Sequence, residues 1–316
     1  MTHDRPHHPE ALALDDIRIR DPYLAFDGEV AYLFGTTDLE PWLEGAGVGF
    51  DAYRSLNLKE WFGPIPAFRP AADFWATGMF WAPEVHRYRD RWYMFATFAG
   101  PSRRRGTQVL VAESLEGPFE PWSIGPVTPA EWECLDGTLH VDDSGEPWIV
   151  FCQEWLQVGD GIVWAQRMRG DLRGAAGPPV RLFSASEAAW VAPIDAAHSS
   201  DSCAESFITD GPFLHRTSDG DLLMLWSSHH QAGYAVGIAR SVSGHVLGPW
   251  SHDAAPVWDQ DGGHAMIATL PDQSQVLAFH HPNDSPNERV RLLPLHERSG
   301  SVWVDPRRPR PTRRRR

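Results

Sequence analysis

Cysteine is scarce in this 316-residue chain. Cys134, Cys152 and Cys203 are odd in number and lack metal-type spacing. That excludes a disulfide framework and a paired-cysteine zinc module, and suits reduced, partly buried thiols. Long apolar runs are missing too, since nothing approaches the ~20 residues that a membrane span needs. The first ten residues, Met1-Thr-His-Asp-Arg-Pro-His-His-Pro-Glu10, hold no apolar signal core, so a cytoplasmic protein is expected. No glycine-rich phosphate loop or Ser-His-Asp ordering stands out, although 15 His leave scattered metal ligation open.

Positive charge is short in the body of the chain. The net charge is −14, yet residues 307–316 hold seven Arg, which leaves −21 on residues 1–306. So acidic a body repels nucleic acid and anionic membrane, and neither is expected as a partner. Residues 306–316 read as an Arg-rich disordered tail and 1–16 as a polar leader. Residues 17–305 then form a single domain.

Tryptophan and proline, at 15 and 27, are plentiful and favour a turn-rich β-protein with an aromatic-lined site. Hydrophobic residues at 42% and charged residues at 22% fit a soluble globular fold. The stretch from Leu135 to Phe151 reads as a hairpin, with strands Thr138–Val141 and Trp148–Phe151 about an Asp142-Asp143-Ser144-Gly145 turn. Asp136 stands just ahead of it. Similar units open at Asp21-Pro22, Pro83-Glu84, Asp210-Gly211 and Gly262-Gly263-His264. Their second strands align at Ala31, Trp92, Trp148, Leu223 and Val276, with spacings of 61, 56, 75 and 53 residues.

Five units of short strands, without a long amphipathic helix, predict an all-β, five-bladed β-propeller. The second strands are apolar on both faces, as stacked blades require. A segment from about residue 170 to 206, rich in Ala, Ser and Pro, reads as irregular.

The innermost strand of every propeller blade lines the axis, so carboxylates at equivalent openings converge there. Three or four carboxylates, with Trp81 beside them, are equipped to cleave a glycosidic bond: one protonates the leaving oxygen while another activates water. The plainer alternative is that Asp before Gly or Pro is turn chemistry.

The phrases Arg20-Asp-Pro-Tyr23, Phe80-Trp-Ala-Pro-Glu-Val85, Asp136-Gly137, Asp210-Gly-Pro-Phe213 and Gly262-Gly-His264 fall in order across all five units. Together they resemble glycoside hydrolase family 43, the propeller family of arabinofuranosidases and xylosidases. The resemblance implies an inverting enzyme with Asp21 as base, Asp136 as pKa modulator and Asp210 as acid. The family's acid is usually Glu, so Asp210 departs from the pattern by one methylene, and Glu205 and Glu187 are fallback acids. Trp81, Glu84, His140, Trp155, Trp190 and Arg289 are candidates for substrate binding. No cofactor is required, but the resemblance places a structural calcium site near His264; calcium prefers oxygen ligands, so His alone argues weakly for it.

The implied activity is exo-cleavage of terminal sugars, α-L-arabinofuranosides first, from small oligosaccharides. A β-xylosidase, a β-galactofuranosidase and a catalytically weak sugar-binding propeller are alternatives. A protein-interaction propeller is disfavoured by the acidic blade openings.

Overall fold

The computed structural model describes residues 11–194 and 205–305. Five antiparallel sheets follow one another along the chain. The innermost strands of the five blades are Arg20–Asp27, Gly78–Tyr88, Cys134–Val141, Asp210–Arg216 and Gly263–Thr269. Each contacts the inner strand of the next blade, and the fifth returns to the first, so they ring one axis. This is the expected five-bladed β-propeller.

The second strands are Val30–Thr36, Arg91–Gly100, Pro147–Gln153, Leu222–His230 and Gln275–His281. They are apolar on both faces because both faces meet neighbours. Every residue from Pro147 to Gln153 is buried. Between the first two blades, Phe68, Phe74, Phe80 and Phe98 pack edge to face, with Phe50 tilted against Phe98.

The segment read as irregular holds a strand. Val180–Ser184 forms the outer edge of the third blade, followed by a 3-10 turn, Ala185–Glu187. Its pairing with Ile162–Arg167 slips register, and only Phe183 and Ser184 of its five residues are buried, which leaves little periodicity to read. The turn is held by a capping box in which Ser184 and Glu187 satisfy each other's backbone. In the first blade, Leu12–Ala13 adds a short fifth strand against Glu60 and Trp61. Cys134 and Cys152 are buried free thiols; Cys203 and the Arg-rich tail lie outside the described residues.

Among the described residues no strand is shared between the first and last blades; one β-bridge, Arg18 to Arg289, and side chains close the ring. Arg18 reaches across to Glu288 at 2.7 Å and Ser285 at 3.1 Å, with Glu288 fully buried. Arg289 belongs to this seam, since its Nε donates to the Asp15 carbonyl at 3.0 Å.

One local device recurs in all five inner strands. Each carries a β-bulge, between Arg20 and Tyr23, Trp81 and Glu84, Leu135 and Thr138, Asp210 and Phe213, and Gly263 and Met266. The first extra residue adopts left-handed φ in every blade: Asp21 (53°), Ala82 (46°), Asp136 (55°), Gly211 (50°) and His264 (51°). Bulges re-aim side chains beside functional sites, and left-handed backbone at non-glycine residues is tolerated where the surroundings enforce it. Here they turn Asp21, Asp136 and His264 toward one another.

Candidate active site

His264 is the hub. Its Nδ1 lies 3.2 Å from Asp21 Oδ1 and 3.7 Å from Asp136 Oδ2. Its backbone N–H donates to Ser227 Oγ at 2.8 Å. A Cβ at Gly211 would stand 2.8 Å from the imidazole, so this bulge position must be glycine for the ring to sit here. Gly211 also donates its N–H to Asp136 Oδ2 at 2.9 Å.

Asp21 accepts a hydrogen bond from Thr36 Oγ1 at 2.8 Å and lies 3.6 Å from Arg20 Nε. Burial alone would raise its carboxyl, but the charge and hydrogen bond of His264, with Arg20, hold it far below the usual carboxylate range. Burial likewise opposes charge on His264, yet Asp21 and Asp136 push its pKa up to about 10. The two form a buried ion pair.

His280 is different. Its Nδ1 accepts the Asp21 backbone N–H at 3.2 Å, while Nε2 faces Asn283 Oδ1 at 3.1 Å. Burial and then Arg20 bring it down to about 3, so it is a neutral support for the strand rather than a second cation.

Burial raises the Asp136 carboxyl, against the pull of His264 and with a push from Asp21. Burial and then the charge of Asp136 raise Asp210. Asp210 accepts from the Tyr234 hydroxyl at 2.8 Å. One carboxyl held ionised and another held protonated is the division of labour that water activation and leaving-group protonation need. All three line a pocket of about 380 Å³ with Arg20, Trp42, Trp81, Arg105, Glu154, Trp155 and His264.

Residues 16–298 match the family model "Glycosyl hydrolases family 43". This chain belongs to that family. It is therefore an inverting glycoside hydrolase whose partner is a carbohydrate. An endo-arabinase from Bacteroides thetaiotaomicron VPI-5482 is 37% identical, with a TM-score of 0.84 over 93% of this chain and 99% of that one. An α-L-arabinofuranosidase from Lactobacillus brevis, 17% identical, shares the fold with a TM-score of 0.69 over 89% of this chain and 91% of that one. A Cellvibrio cellulosa α-L-arabinanase complexed with arabinohexaose, 19% identical, does so at 0.66 over 92% and 96%. No curated protein sequence matches the chain.

Several residues singled out in this family-43 sequence lie elsewhere. Trp190 is buried between the third and fourth blades with its ring 4.9 Å from Trp226, a core residue rather than a pocket wall. His140 sits toward the opposite end of its strand beside Arg216 and Asp142, and Arg289 is in the seam. Glu84 is buried off the pocket and meets His86 at 3.1 Å. Glu187 caps its 3-10 turn and pairs with Arg181, while Glu205 is exposed; neither lines the pocket, which argues against both fallback acids. Trp81 and Trp155 do line it.

His264 meets two carboxylates as an ion-pair partner. Among the described residues no cluster of three or more His, Cys, Asp or Glu side chains is placed to hold a metal. No helix among the described residues is long and apolar enough to cross a membrane.

Sequence reasoning missed Tyr234, His280, Arg20, Arg105 and Glu154. Arg20 stands within a quoted phrase, immediately before Asp21. The others close or begin second and third strands, where one sequence gives no polar signal distinct from an ordinary strand end.

Proposed function

We propose that the enzyme is exo-acting and removes terminal α-L-arabinofuranosyl units from short oligosaccharides. The observation that carries this reading is the size of the axial pocket. At about 380 Å³ it is near the small end of the range for ligand sites, which suits one or two sugar rings rather than a polymer. Trp42 and Leu156, both more than half exposed, form parts of its wall at the surface.

In the reaction Asp21, ionised, takes a proton from a water whose oxygen bonds to the anomeric carbon. The glycosidic C–O bond breaks on the opposite face, and protonated Asp210 delivers its proton to the departing oxygen. Configuration inverts. Asp21 then loses its proton to solvent and Asp210 regains one. Burial and then the charge of Asp136 keep Asp210 protonated, and Trp81 forms part of the wall around the sugar.

The name of the 37%-identical relative favours a second reading, endo-cleavage of an arabinan. Chromatography of the products from linear arabino-oligosaccharides separates the two. Exo action releases monosaccharide from the first minutes, whereas early mixed oligosaccharides would replace that reading with the endo one. A panel of nitrophenyl furanosides and pyranosides reads the glycone. Fastest turnover of the xyloside or galactofuranoside would move the assignment to β-xylosidase or β-galactofuranosidase, and no turnover of any would leave a sugar-binding propeller.

A further inference from the structure

A second charged group lies on the wall of the same pocket, apart from the three carboxylates. Arg105, near the start of the strand Arg103–Ala112, and Glu154, just past the strand Pro147–Gln153, are 8% and 6% exposed. Arg105 Nη2 lies 3.0 Å from Glu154 Oε2. The guanidinium stands 4.9 Å over the Trp81 ring, whose own N–H is fixed on the Pro41 carbonyl at 2.6 Å. All three residues line the pocket.

Stability does not account for this pair. Taking both charges out of water costs about as much as their attraction returns, and apolar side chains of similar volume serve as well or better. Nor is the side chain of Arg105 needed to tether its own strand. Its backbone N–H makes that link, donating to Glu133 Oε2 at 3.2 Å. Arg105 Nε is buried 3.9 Å from Glu133 Oε2, without a hydrogen-bond partner among the described residues. A buried charged pair that stability does not require, set on a pocket wall, points to a polar ligand.

We infer that Arg105 and Glu154 read two neighbouring hydroxyls of the terminal sugar. The guanidinium donates to one oxygen, the carboxylate accepts from the other, and Trp81 beneath the guanidinium holds its plane. The inference rests on the pocket being the glycone site. The pair is a specificity determinant, distinct from the proton-transfer groups.

The test uses deoxy substrates. A nitrophenyl glycoside of whichever sugar the wild type cleaves fastest is compared with its singly deoxygenated counterparts. Hydrogen bonds to charged groups contribute about 1.5–3 kcal/mol, so wild type should disfavour two of these by about 10–150-fold in kcat/KM. In E154Q the penalty for one of them should collapse toward unity, the parent substrate losing the same factor, mostly through KM. R105K, which keeps the buried charge, should collapse the penalty for the adjacent hydroxyl. Equal losses on every substrate in both folded variants would mean a structural pair and overturn the inference. A steeper dependence on leaving-group pKa in E154Q would make Glu154 the acid and overturn it equally. If one variant does not fold, the other decides. Because the series follows whichever sugar is cleaved, failure of the arabinofuranoside reading shows up separately, in the choice of parent.

Discussion

Asp210 does not stand in its blade where Asp21 stands in its own. Asp21 is the first residue of its bulge, at left-handed φ, whereas Asp210 comes one residue earlier, in register opposite Ser227 as Arg20 is opposite Thr36. The inner strands therefore carry two rings of side chains. Asp21, Ala82, Asp136, Gly211 and His264 form the ring at the bulge; Arg20, Trp81, Leu135, Asp210 and Gly263 form the ring before it. Asp21 and Asp136 share an imidazolium in the first ring. Asp210, in the second, is left with the Tyr234 hydroxyl. The strong pairing of the proposed base and the weaker hold on the proposed acid thus come from one residue of register.

Replacing the base tests the first ring. Asp21→Asn keeps the shape but cannot take a proton from water, and positioned acid–base groups contribute about 10²–10⁴-fold. The expected loss in kcat is of that size, even with nitrophenyl leaving groups that need no acid. Near-wild-type turnover of a nitrophenyl glycoside by a folded variant would remove Asp21 from the role.

Replacing the acid tests the second ring. Loss of an acid matters less as the leaving group improves, so Asp210→Asn should be nearly silent on aryl glycosides of low leaving-group pKa. It should be crippling, by about 10²-fold or more, on natural linkages. Glu187→Gln and Glu205→Gln lie outside the pocket and should leave a plot of rate against leaving-group pKa unchanged. A steepened plot for either would move the role there.

The pH profile follows from the same charges. Asp21 is depressed far below the usual range, so the base stays ionised and produces no loss of kcat/KM in mildly acidic solution. Asp210 must be protonated, and its raised pKa is where activity falls as pH rises. Asp136 is part of what raises it. In Asp136→Asn that basic limb should therefore move to lower pH, with reduced activity at the optimum. A limb that stays in place or moves upward would contradict the modulator role.

The propeller was legible because five hydrophobic second strands and five polar openings recur at similar intervals, a signal that survives in one sequence. Asp21, Asp136 and Asp210 were legible as members of those openings. Their registers were not, since a bulge adds one residue without changing the pattern of apolar positions. Trp190 and Arg289 were misplaced for a related reason. An aromatic in a turn or a cation at a strand end reads the same whether it faces a pocket, a core or a seam, and only the tertiary neighbours, Trp226 and Asp15, decide. Arg105 and Glu154 were invisible because they pair across two blades, 49 positions apart in the chain.

His264 offers a test of stability rather than rate. It supplies the counter-charge that lets Asp21 stay ionised while buried, and removing one partner of such a pair typically costs about 3–5 kcal/mol. His264→Gln should therefore lower the unfolding free energy by that order at pH 6. The sign of the pH dependence comes from two opposite shifts. Asp21 has a depressed folded pKa, so its contribution is present above the ordinary carboxylate pKa of about 4 and is lost as pH falls through the folded value. His264 has a folded pKa raised to about 10, so its contribution is complete below the ordinary imidazole pKa of about 6.5 and is lost as pH rises toward 10. The pair stabilises most between about pH 4 and 6.5, and wild type should weaken from pH 6.5 to 10 in a way the variant does not. Denaturant unfolding of both proteins across that range reads the difference directly. If the gap between them stays constant from pH 5 to 10, His264 is a neutral packing residue, and the ionised state of Asp21 must be credited to Arg20 and Thr36 instead.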